Sequence, residues 1–237
     1  MGVGIRARTA DRLGPQHGGK VIAGIGARLL AVAIGVIGLM WILGSLVVHG
    51  LLPSVVGRVD AQTSEWAVEH RTPDLDSVTQ ASSMAADTLV ALAVTVVAVL
   101  GLRAWLGRWR ESLVTVVAIV GELLIFLVIT AIVHRDRPAV PRLDQAPPTS
   151  SFPSGHTGAA IALYGCLAVI LLRNVKPRWV AVSLAVLSCV VPIVVAASRV
   201  YRGMHYLTDV MAGALASGIW LLVVLVVLLP TRTTKGP

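Results

Sequence analysis

Six apolar stretches, each close to the 20 or so residues needed to cross a hydrocarbon core about 30 Å thick, constrain this chain more than any other feature. They run Leu29–Leu52, Leu89–Leu106, Leu113–Val133, Gly155–Leu172, Trp179–Ala197 and Val210–Leu229, broken only by Arg103 near the end of the second and Glu122 within the third. Charged residues make up 14% of the 237 residues and hydrophobic ones 56%, against about 25% charged in ordinary soluble domains. Disorder and a soluble globular fold are thereby excluded, two cysteines are too few for a disulfide framework, and no internal repeat is visible. The predicted fold is all-α: an integral membrane bundle of six transmembrane helices over 29–229, between a basic tail at 1–28 and a short tail at 230–237. Pro192 marks a kink in the fifth helix.

The net charge of +8 raises the question of a nucleic-acid partner, and its distribution answers it. With the N-terminus cytoplasmic, thirteen Lys and Arg fall on the cytoplasmic side and seven on the other. That asymmetry predicts a multi-pass protein of the cell membrane with both termini inside, and explains the basicity without nucleic acid. Trp105, Trp109 and Trp179 fall at cytoplasmic helix ends, as interfacial aromatics do. The first apolar run is too long for a signal peptide core and reads as an uncleaved helix.

Three connections then lie outside. The first, Pro53 to about Thr88, is acidic, with Val55, Val59 and Trp66 spaced to share one face of a short surface helix. The second and third, with the helix starts beside them, hold Arg137-Pro138, Pro153-Ser154-Gly155-His156, Ser198-Arg199, His205 and Asp209. Two histidines, two arginines and a carboxylate on one membrane face are what phosphoryl transfer through a histidine requires. Arginines orient a phosphate with forked donors, and Ser154, Gly155 and His156 open a helix whose free N–H groups favour an anion. The interval from His205 to Asp209 is one helical turn, so Asp209 is expected to accept from one ring nitrogen and leave the other as nucleophile. His156, on another helix, is placed to act as general acid and then base.

These residues resemble the type 2 phosphatidic acid phosphatase (PAP2) family, which includes lipid pyrophosphatases and vanadium haloperoxidases. Its pattern is K-x6-R-P, P-S-G-H and S-R-x5-H-x3-D. The second part stands here as Pro153-Ser154-Gly155-His156 and the third as Ser198-Arg199, His205 and Asp209. The first is partial, because Thr130 occupies the lysine position before Arg137-Pro138. The resemblance implies His205 as a nucleophile forming a phosphohistidine, Asp209 as its partner and His156 as proton donor. It implies Arg137, Arg199, Ser154 and the Gly155 backbone as phosphate ligands, with no metal and no cofactor. Arg135 and His134 are the candidates to supply the missing lysine's charge.

The expected activity is hydrolysis of a phosphomonoester or pyrophosphate on a membrane lipid, such as a polyprenyl diphosphate or phosphatidic acid, at the extracytoplasmic face. The alternatives are a transporter or flippase, an impaired relative that only binds lipid phosphate, and haloperoxidase chemistry on bound vanadate. Clustered arginines argue against a metal at His156, His205 and Asp209. Glu122 is expected to bond a Ser or Thr of a neighbouring helix or to be protonated, and Cys166 and Cys189 to be small buried residues.

Overall fold

The computed structural model describes residues 15–51 and 54–229; the first fourteen residues and the C-terminal tail from 230 lie outside them. Among the described residues there are helices and loops and no strand. Helix α1 (Pro15–Ser45) runs on through a π-helical turn (Leu46–Leu51), so its start lies within the stretch expected as tail. Two short helices, α2 (Val55–Glu69) and α3 (Pro73–Met84), form the first connection, capped by the Ser54 and Thr72 hydroxyls. Then come α4 (Thr88–Leu106), α5 (Arg110–Ile132), the short α6 (Gly155–Ala160), a π-helical turn (Ile161–Gly165) and α7 (Cys166–Asn174). The last two are α8 (Arg178–Tyr201), which stays helical through Pro192, and α9 (Leu207–Leu228). With α6, the π-turn and α7 taken as one span, six segments are long and apolar enough to cross a membrane.

Helix α9 is the hub, packing on α1, α5 and α6, while α4 leans on α5 and α8 on α6 and α7. The buried core runs through Met40, Ile129, Val133, Phe152, Cys166, Ile170 and Val224. Small residues admit the closest approaches, as expected where helices associate without a hydrophobic drive. The Trp220 ring occupies the place of a side chain at Gly121, and its indole N–H donates to the Ala118 carbonyl at 3.0 Å. At the end away from the loops that carry Arg137 and His205, Arg108 forks onto Glu111 and reaches Asn174, and Arg110 donates to the Leu228 carbonyl. Cys166 is buried as expected, but Cys189 is exposed on α8.

At the other end, α9 is held against the loop that opens α6. The Ser154 amide donates to the Asp209 carbonyl at 3.0 Å, and a Cβ at Gly213 would stand 2.5 Å from the Ser154 carbonyl oxygen. Backbone cannot swing aside as a side-chain tip can, so Gly213→Ala is expected to push α9 off this loop. The expected loss is about 1–3 kcal/mol of stability, or a Tm lower by roughly 3–10 °C, followed by tryptophan fluorescence on heating in detergent. Gly218, with open space where its Cβ would be, serves as the silent control.

Candidate active site

The turn between α8 and α9 is built from Arg202 to Tyr206. Gly203 has φ +70°, a left-handed conformation that a side chain disfavours and that reverses the chain after the helix. The amides of Met204 and His205 both donate back to the Arg199 carbonyl, at 3.0 and 3.3 Å. Arg199 and His205 are thus fixed to each other through backbone, although five residues separate them.

The His205 ring is buried, and its Nδ1 lies 2.7 Å from the Ser151 carbonyl oxygen. A carbonyl only accepts, so Nδ1 carries the proton and Nε2 keeps its lone pair. Nε2 points to the Arg137 guanidinium, 3.4 Å from Nη1. Burial pushes the imidazole below its ordinary range; Asp209 opposes that, and Arg137 and Arg199 add to it. The ring is therefore held neutral with a free nitrogen at neutral pH.

Asp209 does not take the place that its spacing suggested. Its Oδ2 is 3.8 Å from Nδ1, beyond hydrogen-bond reach, and accepts from the Tyr206 amide at 2.9 Å instead. Helix α9 begins at Leu207, so His205 precedes it and the four-residue interval is not a helical turn. The other oxygen of Asp209 receives Arg135, whose guanidinium also donates to Asp60 at 2.7 Å and to the Thr208 hydroxyl at 2.7 Å. Asp60, on α2, in turn accepts from the Thr208 amide and hydroxyl at 3.1 and 2.5 Å. All three charged groups are buried, and the Arg135 guanidinium stacks 4.2 Å over Tyr206. Arg135 is therefore consumed by two carboxylates and does not replace the missing lysine, while His134 is exposed away from the site.

A chamber of about 390 Å³ opens beside these groups. Its upper wall is polar and cationic: Arg137, Thr149, Ser150, His156, Arg199 and His205. Its lower wall is apolar and comes from α4, α5 and α6, with Leu92 and Leu123 both exposed and Glu122 also part of the lining. A second space of about 520 Å³, bordered by Gln80, Ser83, Asp87, Asp144 and Gln145, meets the first at His156 and Arg199. Arg199 donates to Ser83 at 2.6 Å and to Asp144 at 2.9 Å. Burial works against ionisation of Asp144, but the forked bonds from Arg202 and the charge of Arg199 outweigh it and hold the carboxyl below its ordinary range. The Nε groups of Arg137 and Arg199 are buried with no hydrogen-bond partner in the protein, so each arginine keeps donor capacity in hand.

The structure thus brings together Arg137, His156, Arg199, His205 and Gly155, whose missing Cβ leaves room for the Phe126 ring. Ser154 is set apart: its side chain is buried and its hydroxyl accepts from Thr157 at 3.0 Å. Thr130 is buried with an unpartnered hydroxyl and does not border the chamber. Asp60 was not singled out by sequence reasoning, and only its acidic surroundings marked the loop. Among the described residues no three His, Cys, Asp or Glu side chains gather as a metal site would.

A neutral imidazole with an unprotonated nitrogen, beside two arginines and a second imidazole, can accept a phosphoryl group and return it to water. The family model of the PAP2 superfamily matches residues 111–232, which include Arg137, His156, Arg199, His205 and Asp209 but not Asp60 or Ser83. No curated protein shows significant sequence similarity to the chain. Among solved structures, a transmembrane PAP2-type phosphatidylglycerolphosphate phosphatase from Bacillus subtilis is 25% identical with a TM-score of 0.70, covering 79% of this chain and 92% of its own. Six membrane spans, a match over half the sequence and the same helical architecture in a solved phosphatase lead to one assignment: the chain belongs to the PAP2 superfamily, as a multi-pass membrane phosphatase.

Proposed function

We propose that the protein removes a terminal phosphate, from a phosphomonoester or a pyrophosphate, on a membrane lipid. The observation that carries this reading is the two-natured chamber, cationic at one end and apolar at the other, between helices that face hydrocarbon. A lipid phosphate matches both ends without leaving the bilayer. The Bacillus subtilis neighbour, named for phosphatidylglycerolphosphate, supports a lipid substrate of this kind.

In the proposed reaction Arg137, Arg199 and the amides that open α6 hold the phosphate oxygens. His205 Nε2 attacks phosphorus while the P–O bond to the lipid breaks, and His156 gives its proton to the departing lipid oxygen. The dianionic phosphate beside His156 favours the protonated ring needed for that transfer. The phosphohistidine carries a positive ring whose Nδ1–H remains on the Ser151 carbonyl, with Asp209 3.8 Å away to offset the charge. His156 then takes a proton from water, which attacks phosphorus, the N–P bond breaks, and inorganic phosphate leaves through the polar space beside Asp144. Ser154 serves by shaping the α6 start rather than by its hydroxyl. Arginines do the anion-holding that a metal would otherwise do. The excess of Lys and Arg at the opposite helix ends supports a site on the extracytoplasmic face of the cell membrane, with both termini cytoplasmic.

The test is phosphate release from lipid monophosphates and diphosphates by purified protein in detergent, across pH and with EDTA. Release is expected without loss to the chelator. The acid limb of kcat/KM is expected below pH 6.5, the ordinary imidazole value, because only unprotonated His205 has a lone pair and its burial shifts protonation to lower pH. No release from any lipid phosphate, or activity that EDTA removes and a divalent metal restores, overturns the reading.

A further inference from the structure

Glu122 lies in the middle of α5, at a depth where an ionisable group is costly and marks function unless its partners fully account for it. Its partners do not. Its Oε1 accepts from Ser217 at 3.5 Å, the outer limit of a hydrogen bond. Glu122 lines the chamber together with the apolar side chains Leu92, Ile119, Leu123, Phe126 and Ala159. Room for it is made by Gly158, where any Cβ would collide with Oε1.

That neighbour fixes its level. Gly158 is three residues beyond Gly155, which immediately precedes His156 and lines the chamber with it, and three residues of α-helix advance about 4.5 Å. Glu122 therefore stands about one turn below the phosphate position, closer than its place in α5 suggests. In a glycerol phosphate the C2 oxygen is four bonds from phosphorus, a reach of about 5 Å with bonds of about 1.5 Å in a staggered chain. In a polyprenyl phosphate the same level holds only hydrocarbon.

We infer that Glu122 is a specificity-determining residue, which selects glycerolipid phosphates over polyprenyl phosphates by hydrogen bonding the glycerol oxygen next to the phosphate. A carboxyl surrounded by apolar side chains is protonated and donates one hydrogen bond, which an ester carbonyl or a glycerol hydroxyl accepts. A prenyl chain covers the same carboxyl without pairing it, so the lost bond counts against that substrate. The inference rests on the lipid phosphatase reading and narrows it.

The test compares kcat/KM for phosphatidic acid, its analogue lacking the C2 oxygen, and geranylgeranyl monophosphate. With wild-type protein, phosphatidic acid is expected to exceed each of the other two by about tenfold to a hundredfold. In Glu122→Leu that advantage collapses towards one through loss on phosphatidic acid alone, and Glu122→Gln, whose amide also donates, keeps most of it. Equal handling of the three lipids by wild-type protein overturns the inference, and does so even if the leucine variant fails to fold. So does a leucine variant that loses all three substrates in the same proportion. Absence of release from every lipid instead overturns the phosphatase reading, and this inference with it.

Discussion

His205→Ala is expected to lower phosphate release by about 10⁴-fold or more, since removing the proposed nucleophile from a set of groups acting as a unit costs nearly all that the set contributes. No neighbouring group can take over. Asp209 is committed to Arg135 and to the Tyr206 amide, and the Ser154 hydroxyl is buried against Thr157. The turn itself survives the change, because Gly203, Met204 and the residue at 205 are held by backbone bonds to Val200 and Arg199. The variant is therefore expected to fold and to bind lipid phosphate while turning over none. Acid-labile, base-stable label from a ³²P-lipid should appear on wild-type protein after rapid quenching and be missing from the variant. Activity within tenfold of wild type, or label still present on the variant, overturns the phosphohistidine route.

How far the site could be seen in advance depended on whether its information was local. The spans were legible because crossing a bilayer needs length and apolarity, both written along the chain. The grouping of Arg137, His156, Arg199 and His205 was legible because all four fall in the second and third connections or at the helix ends beside them, on one side of the bundle. Glu122 was expected to bond a neighbouring hydroxyl, and Ser217 is that neighbour, but its closeness to the first turn of α6 depended on the packing of α5 against Gly158. The His205–Asp209 spacing misled because it assumed a helix two residues before α9 begins. In α2 the apolar residues Val55, Val59 and Trp66 do share a face, and it points outward; the inward side is Asp60, Ser64 and Ala67. Near a membrane, apolarity stops marking the inside of a helix, and a carboxylate whose partners lie 75 and 148 positions away has no local signature at all.

Those distant partners set the second large effect. Arg135 stands between two carboxylates that are 1% and 0% exposed, and its two terminal nitrogens each serve one of them. Arg135→Ala leaves Asp60 and Asp209 buried, like-charged and without their shared cation, and breaking a buried pair in this way costs about 3–5 kcal/mol. The cost falls at the α9 start, where Asp60 also accepts from the Thr208 amide and Asp209 holds the Tyr206 amide beside His205. Expected are a markedly lower Tm in detergent and phosphate release reduced by at least about a hundredfold. Asp60→Asn separates position from charge: the amide keeps one acceptor for Thr208 but weakens the hold on Arg135, so an intermediate loss is expected. Joining it to Arg135→Ala should then cost less than the sum of the two single changes, because the second no longer leaves two facing carboxylates. Measured by thermal unfolding and by kcat/KM on the same preparations, simple additivity would mean that α2 packs over the site without steering it. Coupling would mean that the first connection, through Asp60, is part of what aims the nucleophile.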